Sequence, residues 1–274
     1  MEITTFFFIY FSLLVFAVGA CVGSFLNVCI YRIPREESVV APRSHCPHCN
    51  KMIPWNDNIP LVSYLLLAGR CRVCKNVISV RYFLVELMTA VLFLLVWLHY
   101  GFDARTPVYW MVVSGLILGT FVDFDHMIIP DRVSLGGVVA GLVLSPLIPS
   151  LHDAMRPLDG LIAALIGLIA GSGILWGVGF LGKLAFRKDA MGMGDVKLLG
   201  GLGALLGWQA VLFIIMVSAL IGSCVGVALI FSRCKQWRSR IPYGPYLALA
   251  AVVWILWGKG WWEAYFAWAV DGTL

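Results

Sequence analysis

The stretch FFFIYFSLLVFAVGACVGSFLNVCI, residues 6–30, carries no charged side chain. A helix that spans a bilayer needs about 20 mainly apolar residues, so this run is long enough to cross one. Only Glu2 precedes it among charged residues, and Arg32 and Arg35 follow it. A secretory signal peptide would carry basic residues ahead of the apolar run and a small-residue cleavage site behind it. The segment therefore reads as an uncleaved anchor running from outside to inside.

Working outward, similar apolar runs recur at residues 83–100, 107–122, 133–149, 160–182, 195–207, 209–231 and 244–258, with the break at Trp208 the least marked. Of the 274 residues, 61% are hydrophobic and 13% charged, more apolar surface than a water-soluble domain of this size can hide. The strands of a membrane barrel would alternate polar and apolar residues, and these runs do not. The expected fold is an all-α polytopic membrane protein of about eight transmembrane helices. Its organisation reads as a first transmembrane helix (1–31), a cytoplasmic insertion (32–82) and a transmembrane core (83–274).

The net charge of +5 invites a nucleic-acid reading, but the placement of the basic residues explains it without one. With eight spans, Arg32, Arg35, Arg43, Lys51, Arg70, Arg72, Lys75, Arg81, Arg132, Lys183, Arg187, Lys188, Lys197, Arg233, Lys235, Arg238 and Arg240 fall on one side. Of the 20 Lys and Arg, that leaves only Arg105, Arg156 and Lys259 on the other. This asymmetry marks the first side as cytoplasmic. Trp254, Trp257, Trp261, Trp262 and Trp268 then read as an aromatic belt at the outer interface. Gly200, Gly201, Gly203 and Gly207 suit close helix packing in lipid.

The insertion holds Cys46-Pro47-His48-Cys49 and Cys71-Arg72-Val73-Cys74, two C-x-x-C pairs at the spacing of a four-thiolate zinc ribbon. Two knuckles complete a tetrahedral shell with no open position for water, so such a site is structural. Two disulfides are the alternative, which a reducing cytoplasm disfavours. His45 and His48 stand beside the ligands and read as solvated knuckle residues. Cys21, Cys29, Cys224 and Cys234 lie in or near apolar spans and read as small packing residues.

Four aspartates stand where apolar helices meet the cytoplasmic side. Asp123, Asp125 and Asp131 lie in FVDFDHMIIPD (residues 121–131), and Asp195 lies in MGMGDVK (residues 191–197). Ionisable groups at the edge of the hydrocarbon are expensive and point to function. Two carboxylates brought together in a partly dry site share a proton. A water between them can then be deprotonated by one while the other protonates a substrate carbonyl. Asp123 and Asp195 are the expected catalytic pair, with Gly192 and Gly194 leaving room for substrate backbone. Asp131, after Pro130, reads as a helix N-cap; Asp125, on another helix face, reads as a solvated or supporting carboxylate. A proton or ion relay is the competing class, but relays sit near the midplane of repeated halves, and no repeat is evident.

These residues resemble the type IV prepilin peptidase family, the bifunctional leader peptidases and N-methyltransferases of pilus and type II secretion systems. The likeness rests on Gly23-Ser24-Phe25-Leu26-Asn27-Val28 with Tyr31-Arg32-Ile33-Pro34, and on the paired C-x-x-C with Asn58-Ile59-Pro60 and Ser63 between them. Arg81-Tyr82, Glu86, the D-x-D-x-x-x-I-P-D run and G-x-G-D extend it over nearly the whole chain. It implies cleavage of type IV prepilins or pseudopilins after a glycine, at the cytoplasmic side of the bacterial inner membrane. It also implies methylation of the new N-terminal residue with S-adenosylmethionine. The family's catalytic pair falls on Asp123 and Asp195, and its zinc ligands on Cys46, Cys49, Cys71 and Cys74. The methyl-donor site is expected between Tyr31 and Arg81, without a Gly-rich strand–turn–helix motif. Ser24, Asn27 and Glu86 are candidates for positioning or for polar contacts between helices.

Overall fold

The computed structural model describes residues 2–187, 191–232 and 242–271. Lys188, Arg233, Cys234, Lys235, Arg238 and Arg240 lie outside the described residues. The chain is helical almost throughout: among the described residues there is no β-strand, only two isolated bridges. Its residues cluster into two units, Met1–Leu118 and Gly119–Leu274.

The first unit is built on α1 (Glu2–Arg32) and α3 (Val80–Tyr100), with the short α2 (Val62–Leu66) in the insertion between them. α1 packs directly on α3 because glycines let the backbones meet. A Cβ added at Gly19 would stand 2.8 Å from Ala90 Cα, and one at Gly23 would stand 2.7 Å from Glu86 Cα. Polar side chains close the cytoplasm-facing ends expected of these helices. Asn27 Nδ2 donates to the Tyr82 carbonyl at 3.0 Å, and the buried Arg32 donates to the carbonyls of Ser38 and Pro42.

The second unit contains α5 (Asp131–Leu147), α6 (Pro157–Phe186), α7 (Met193–Leu206), α8 (Trp208–Phe231) and α9 (Gly244–Val253). A π-helical turn, Trp254–Gly258, then leads into α10 (Lys259–Asp271). α4 (Arg105–His126) carries the chain across the boundary between the units.

α7 is the centre of the second unit. Every residue from Leu198 to Leu206 is buried, as expected of a helix that is apolar all round and enclosed by protein. Its glycines serve two neighbours. A Cβ at Gly201 would meet the Ser134 carbonyl of α5 at 3.0 Å, and one at Gly203 would meet the Gly167 carbonyl of α6 at 2.0 Å. Gly207, at φ +87°, ends α7 in a conformation that side chains rarely adopt, and α8 starts at the next residue. The division of the apolar stretch at Trp208 is therefore a true helix break. Behind it, Ser145 donates to the Ala204 carbonyl at 3.1 Å and lies 2.9 Å from His152 Nε2, so the buried hydroxyl is fully paired.

Each of the eight apolar runs is helical. Among the described residues, five helices are long and apolar enough to cross a membrane: Thr5–Arg35, Val80–Tyr100, Arg105–His126, Pro157–Ala185 and Trp208–Leu229. The chain is a multi-pass membrane protein. α5, α7 and α9 are shorter; at about 1.5 Å per residue, the 14 residues of α7 reach only about 21 Å, against a hydrocarbon core of about 30 Å.

Trp257, Trp261 and Trp268 are exposed, as belt residues are, but Trp254 departs from that reading. It is buried and packs its ring 5.2 Å from that of Phe213. Cys29 is buried, whereas Cys21 and Cys224 are exposed on their helices.

Candidate active site and candidate metal centre

Within the first unit, the insertion folds as two copies of one knuckle. Cys46 N–H donates to the Lys51 carbonyl, Asn50 N–H to Cys46 and Ile53 N–H to Ser44. Cys71, Lys75 and Ile78 make the same three bonds to Asn76, Cys71 and Gly69. Asn50 and Lys75 occupy the same left-handed position in each turn, at φ 55° and 59°. This repeat was invisible in the sequence because it is written in backbone bonds and shares little beyond its cysteines.

The four sulfurs of Cys46, Cys49, Cys71 and Cys74 lie within 4.8 Å of one another, and all four cysteines are free. Cys46 Sγ and Cys74 Sγ are 3.8 Å apart. Zn–S bonds of about 2.3 Å in a tetrahedron place sulfurs about 3.8 Å apart, so this donor set fits a four-thiolate metal site. Backbone N–H groups of Cys74 and then Val73 point at the Cys71 sulfur and lower its pKa to about 6. Cys74, against the Asn76 N–H, is instead pushed up to about 11 by burial and by the sulfurs of Cys71, Cys46 and Cys49. The clustered thiols thus share protons, with Cys71 favouring the thiolate and Cys74 the thiol. His45 and His48 take no place in the cluster.

The segment between the knuckles is fastened to α3. Leu61, held at φ 62° and ψ −51°, donates its N–H to Glu86 Oε2 at 2.8 Å, and Glu86 is also hydrogen-bonded by Ser24. Ser63 Oγ accepts from Ile59 N–H and donates to the Asn56 carbonyl. Glu86 thus ties the insertion to α3, Ser24 and Asn27 join α1 to α3, and Ile59 and Ser63 brace the insertion from within.

The second unit brings the aspartates together. Asp123 lies in the last turn of α4, only 5% exposed; Met127, at φ 52°, stops the helix after it. Asp195 is the third residue of α7, where its carboxylate accepts the N–H of Gly192, the residue before the helix, in a capping contact. The two carboxylates are close enough to interact electrostatically. Ile129 is wedged between their supports. A Cβ at Gly194 would stand 3.2 Å from Ile129 Cβ, and one at Gly244 would stand 3.2 Å from Ile129 Cδ1.

The other two aspartates separate from this pair. Asp125 is exposed. Asp131 is not the N-cap of α5: Pro130 holds that position and Asp131 is the first helical residue. Its carboxylate instead accepts from Lys197 Nζ at 2.7 Å, tying the start of α5 to the start of α7. The expectation of a capping role fails because the helix begins one residue earlier than expected: the Pro130 carbonyl accepts the first intrahelical bond, from Ser134 N–H at 3.2 Å, which puts Asp131 inside the first turn.

Sequence reasoning missed a third contributor to the pair, the start of α9. Gly244 N–H donates to Asp123 Oδ2 at 3.1 Å in a buried setting. The only signal in the sequence was Gly244-Pro245 opening an apolar run, which marks a helix start and says nothing of a partner.

Two family models match the chain: the bacterial peptidase A24 N-terminal domain over residues 17–100 and the type IV leader peptidase family over residues 110–227. A prepilin leader peptidase/N-methyltransferase of Aeromonas hydrophila is 40% identical over 276 aligned residues, covering 91% of each chain. The protein of the same name from Pseudomonas aeruginosa is 38% identical, over 90% of this chain and 91% of its own. A type 4 prepilin-like proteins leader peptide-processing enzyme of Escherichia coli is 39% identical, over 85% and 89%. No solved structure gives a significant match. With the likeness running through both units at this identity, the chain belongs to the type IV leader peptidase family.

Proposed function

We propose that this protein removes the leader peptide of type IV prepilins or pseudopilins by cutting after a glycine, and N-methylates the residue so exposed. The observation that carries the peptidase reading is the pairing of Asp123 and Asp195, from two helices distant in sequence, with Gly192, Gly194 and Gly244 packed close around them. One carboxylate takes a proton from a water whose oxygen attacks the glycine carbonyl carbon. The other gives its proton to the carbonyl oxygen, forming a tetrahedral diol. When the C–N bond breaks, the electron pair leaves with nitrogen and the proton returns to it, freeing the new amine. Asp123 is fixed by Gly244 N–H and Asp195 by Gly192 N–H, so neither carboxylate needs to reorganise during the reaction.

The substrate picture follows from the same chemistry. The charge asymmetry of the loops supports an inner-membrane orientation with the aspartates at the cytoplasmic face. A basic leader would lie against that polar surface while the apolar helix of the substrate stays in lipid, and the scissile carbonyl is exposed by local unwinding. Zinc suits the four-thiolate cluster and would lock the two knuckles together without touching the peptide bond. S-adenosylmethionine is the methyl donor in this reading. Because the described residues contain no β-strand, they offer no strand–turn–helix donor cradle of the usual kind.

The reading is tested with purified protein in liposomes and a prepilin substrate. Asp123→Asn and Asp195→Asn each lose cleavage by about a thousandfold or more, while the exposed Asp125→Asn cleaves at the wild-type rate. Retained cleavage in either of the first two, with the protein folded, would overturn the pair.

A further inference from the structure

α9 reaches Asp123 through its first residue, Gly244, and α8 fixes where that helix starts. Tyr243 is the residue before the helix, and its hydroxyl lies 2.7 Å from Ser218 Oγ on α8. Ser218 is completely buried in the middle of an apolar span; its hydroxyl donates to the Ile215 carbonyl of its own helix at 3.1 Å, which leaves its oxygen to accept the Tyr243 hydroxyl, a group that finds no water there. Four residues on, the same face of α8 carries Gly222, whose added Cβ would meet the Tyr246 ring at 3.5 Å. Ser218 and Gly222 therefore set both the height and the rotation of the α9 entry.

That entry has one polar duty. The first N–H groups of a helix have no partner within it, and that of Gly244 goes to Asp123 Oδ2 at 3.1 Å. The fit leaves no slack: a Cβ at Gly244 would stand 2.7 Å from the same oxygen.

We propose that Ser218 and Tyr243 are positioning residues of the peptidase, whose mutual hydrogen bond locks the start of α9 so that the Gly244 amide holds Asp123 in its working orientation. The proposal rests on the aspartate-pair reading. Loss of either hydroxyl leaves the tyrosine ring and the helix packing in place but frees the α9 entry to shift. Displacements well under an ångström suffice to slow a reaction that depends on alignment. The Tyr243 hydroxyl is also close enough to Asp195 to interact with it electrostatically, so its loss acts at the pair itself. The rate of the chemical step therefore falls while KM does not change.

The test is steady-state cleavage of a prepilin by full-length Tyr243→Phe, Ser218→Ala and the double variant, with thermal unfolding recorded for each. Each single variant lowers kcat about tenfold with KM unchanged, and the double variant is no slower than the singles, because all three remove one interaction. Ser218→Thr, which keeps a hydroxyl, restores most of the rate lost in Ser218→Ala. Additive losses, a change in KM alone, or wild-type kcat in Ser218→Ala would overturn the proposal. Should Tyr243→Phe fail to fold, the contrast between Ser218→Thr and Ser218→Ala decides it. Asp123→Asn run alongside separates the layers: cleavage by that variant removes the pair assignment itself, whereas its loss with an unaffected Ser218 series removes only the positioning role.

Discussion

At Gly244 stability and function are set against each other in a single hydrogen atom. Alanine is the better helix former by about 1 kcal/mol, so on propensity alone Gly244→Ala would strengthen the first turn of α9. The methyl group, however, would stand 2.7 Å from Asp123 Oδ2 and 3.2 Å from Ile129 Cδ1, nearer than van der Waals contact allows. The carboxylate is the more movable neighbour, because Ile129 is held among buried side chains. Asp123 gives way, and the amide that orients it is pushed off line. The expected outcome is a fall in cleavage of about a hundredfold with an unfolding temperature within a few degrees of wild type, read from activity and thermal unfolding on the same preparation. A variant that cleaves normally would show that Asp123 tolerates displacement and has no need of a fixed orientation.

Among the elements, the knuckles respond to pH through a contact outside the thiols. The short helical turn Trp55–Asp57 presents Asp57 to Arg72 of the second knuckle, with Nε at 2.7 Å and Nη2 at 2.6 Å from its two oxygens. The hydrogen-bonded Arg72 guanidinium lowers the Asp57 pKa below the usual carboxylate range. Because the folded-state value is the depressed one, the contribution is present above the ordinary carboxylate pKa of about 3.9 and is lost as pH falls through the lowered value. Asp57→Asn therefore loosens the second knuckle at neutral pH, and the difference from wild type disappears in acid. Amide exchange across residues 70–78 checks it, and a difference that persists below the Asp57 pKa would assign the effect to packing. This contact had no signature in the sequence, since Asp57 and Arg72 follow no motif spacing. The apolar runs were readable because length and composition alone decide them. α7 read as a span like the others, yet its shortness and its glycines make it a helix enclosed by protein. Gly244 was unreadable for a third reason: its contribution is a backbone N–H, which every residue but proline carries.

On the scale of the molecule, the two candidate chemistries occupy different parts of the chain. The thiol cluster and its fastening to Glu86 lie within Met1–Leu118, and the aspartates with Gly244 and Ser218 lie within Gly119–Leu274. A four-thiolate metal shell is a folding element: the knuckles contain no helix and no strand, and without metal four clustered thiols leave little to hold them. The hydrogen bonds that orient the aspartates, by contrast, come from Gly192 just before α7 and from Gly244 at the start of α9, and involve no cysteine. If the methyl-transfer site belongs to the insertion, removing the metal must separate the two activities. Treatment with a strong chelator, or Cys46→Ser with Cys74→Ser, is expected to release one zinc per chain and abolish methylation. Cleavage of the same prepilin should persist within about tenfold. Mass spectrometry of the product distinguishes the cases directly, because cut but unmethylated pilin accumulates only if the activities part. Restoring zinc to the chelated enzyme should return methylation; the cysteine variants should not respond. Parallel loss of both activities would mean that the insertion supports the peptidase as well, and the methyl-transfer site would have to be sought outside it.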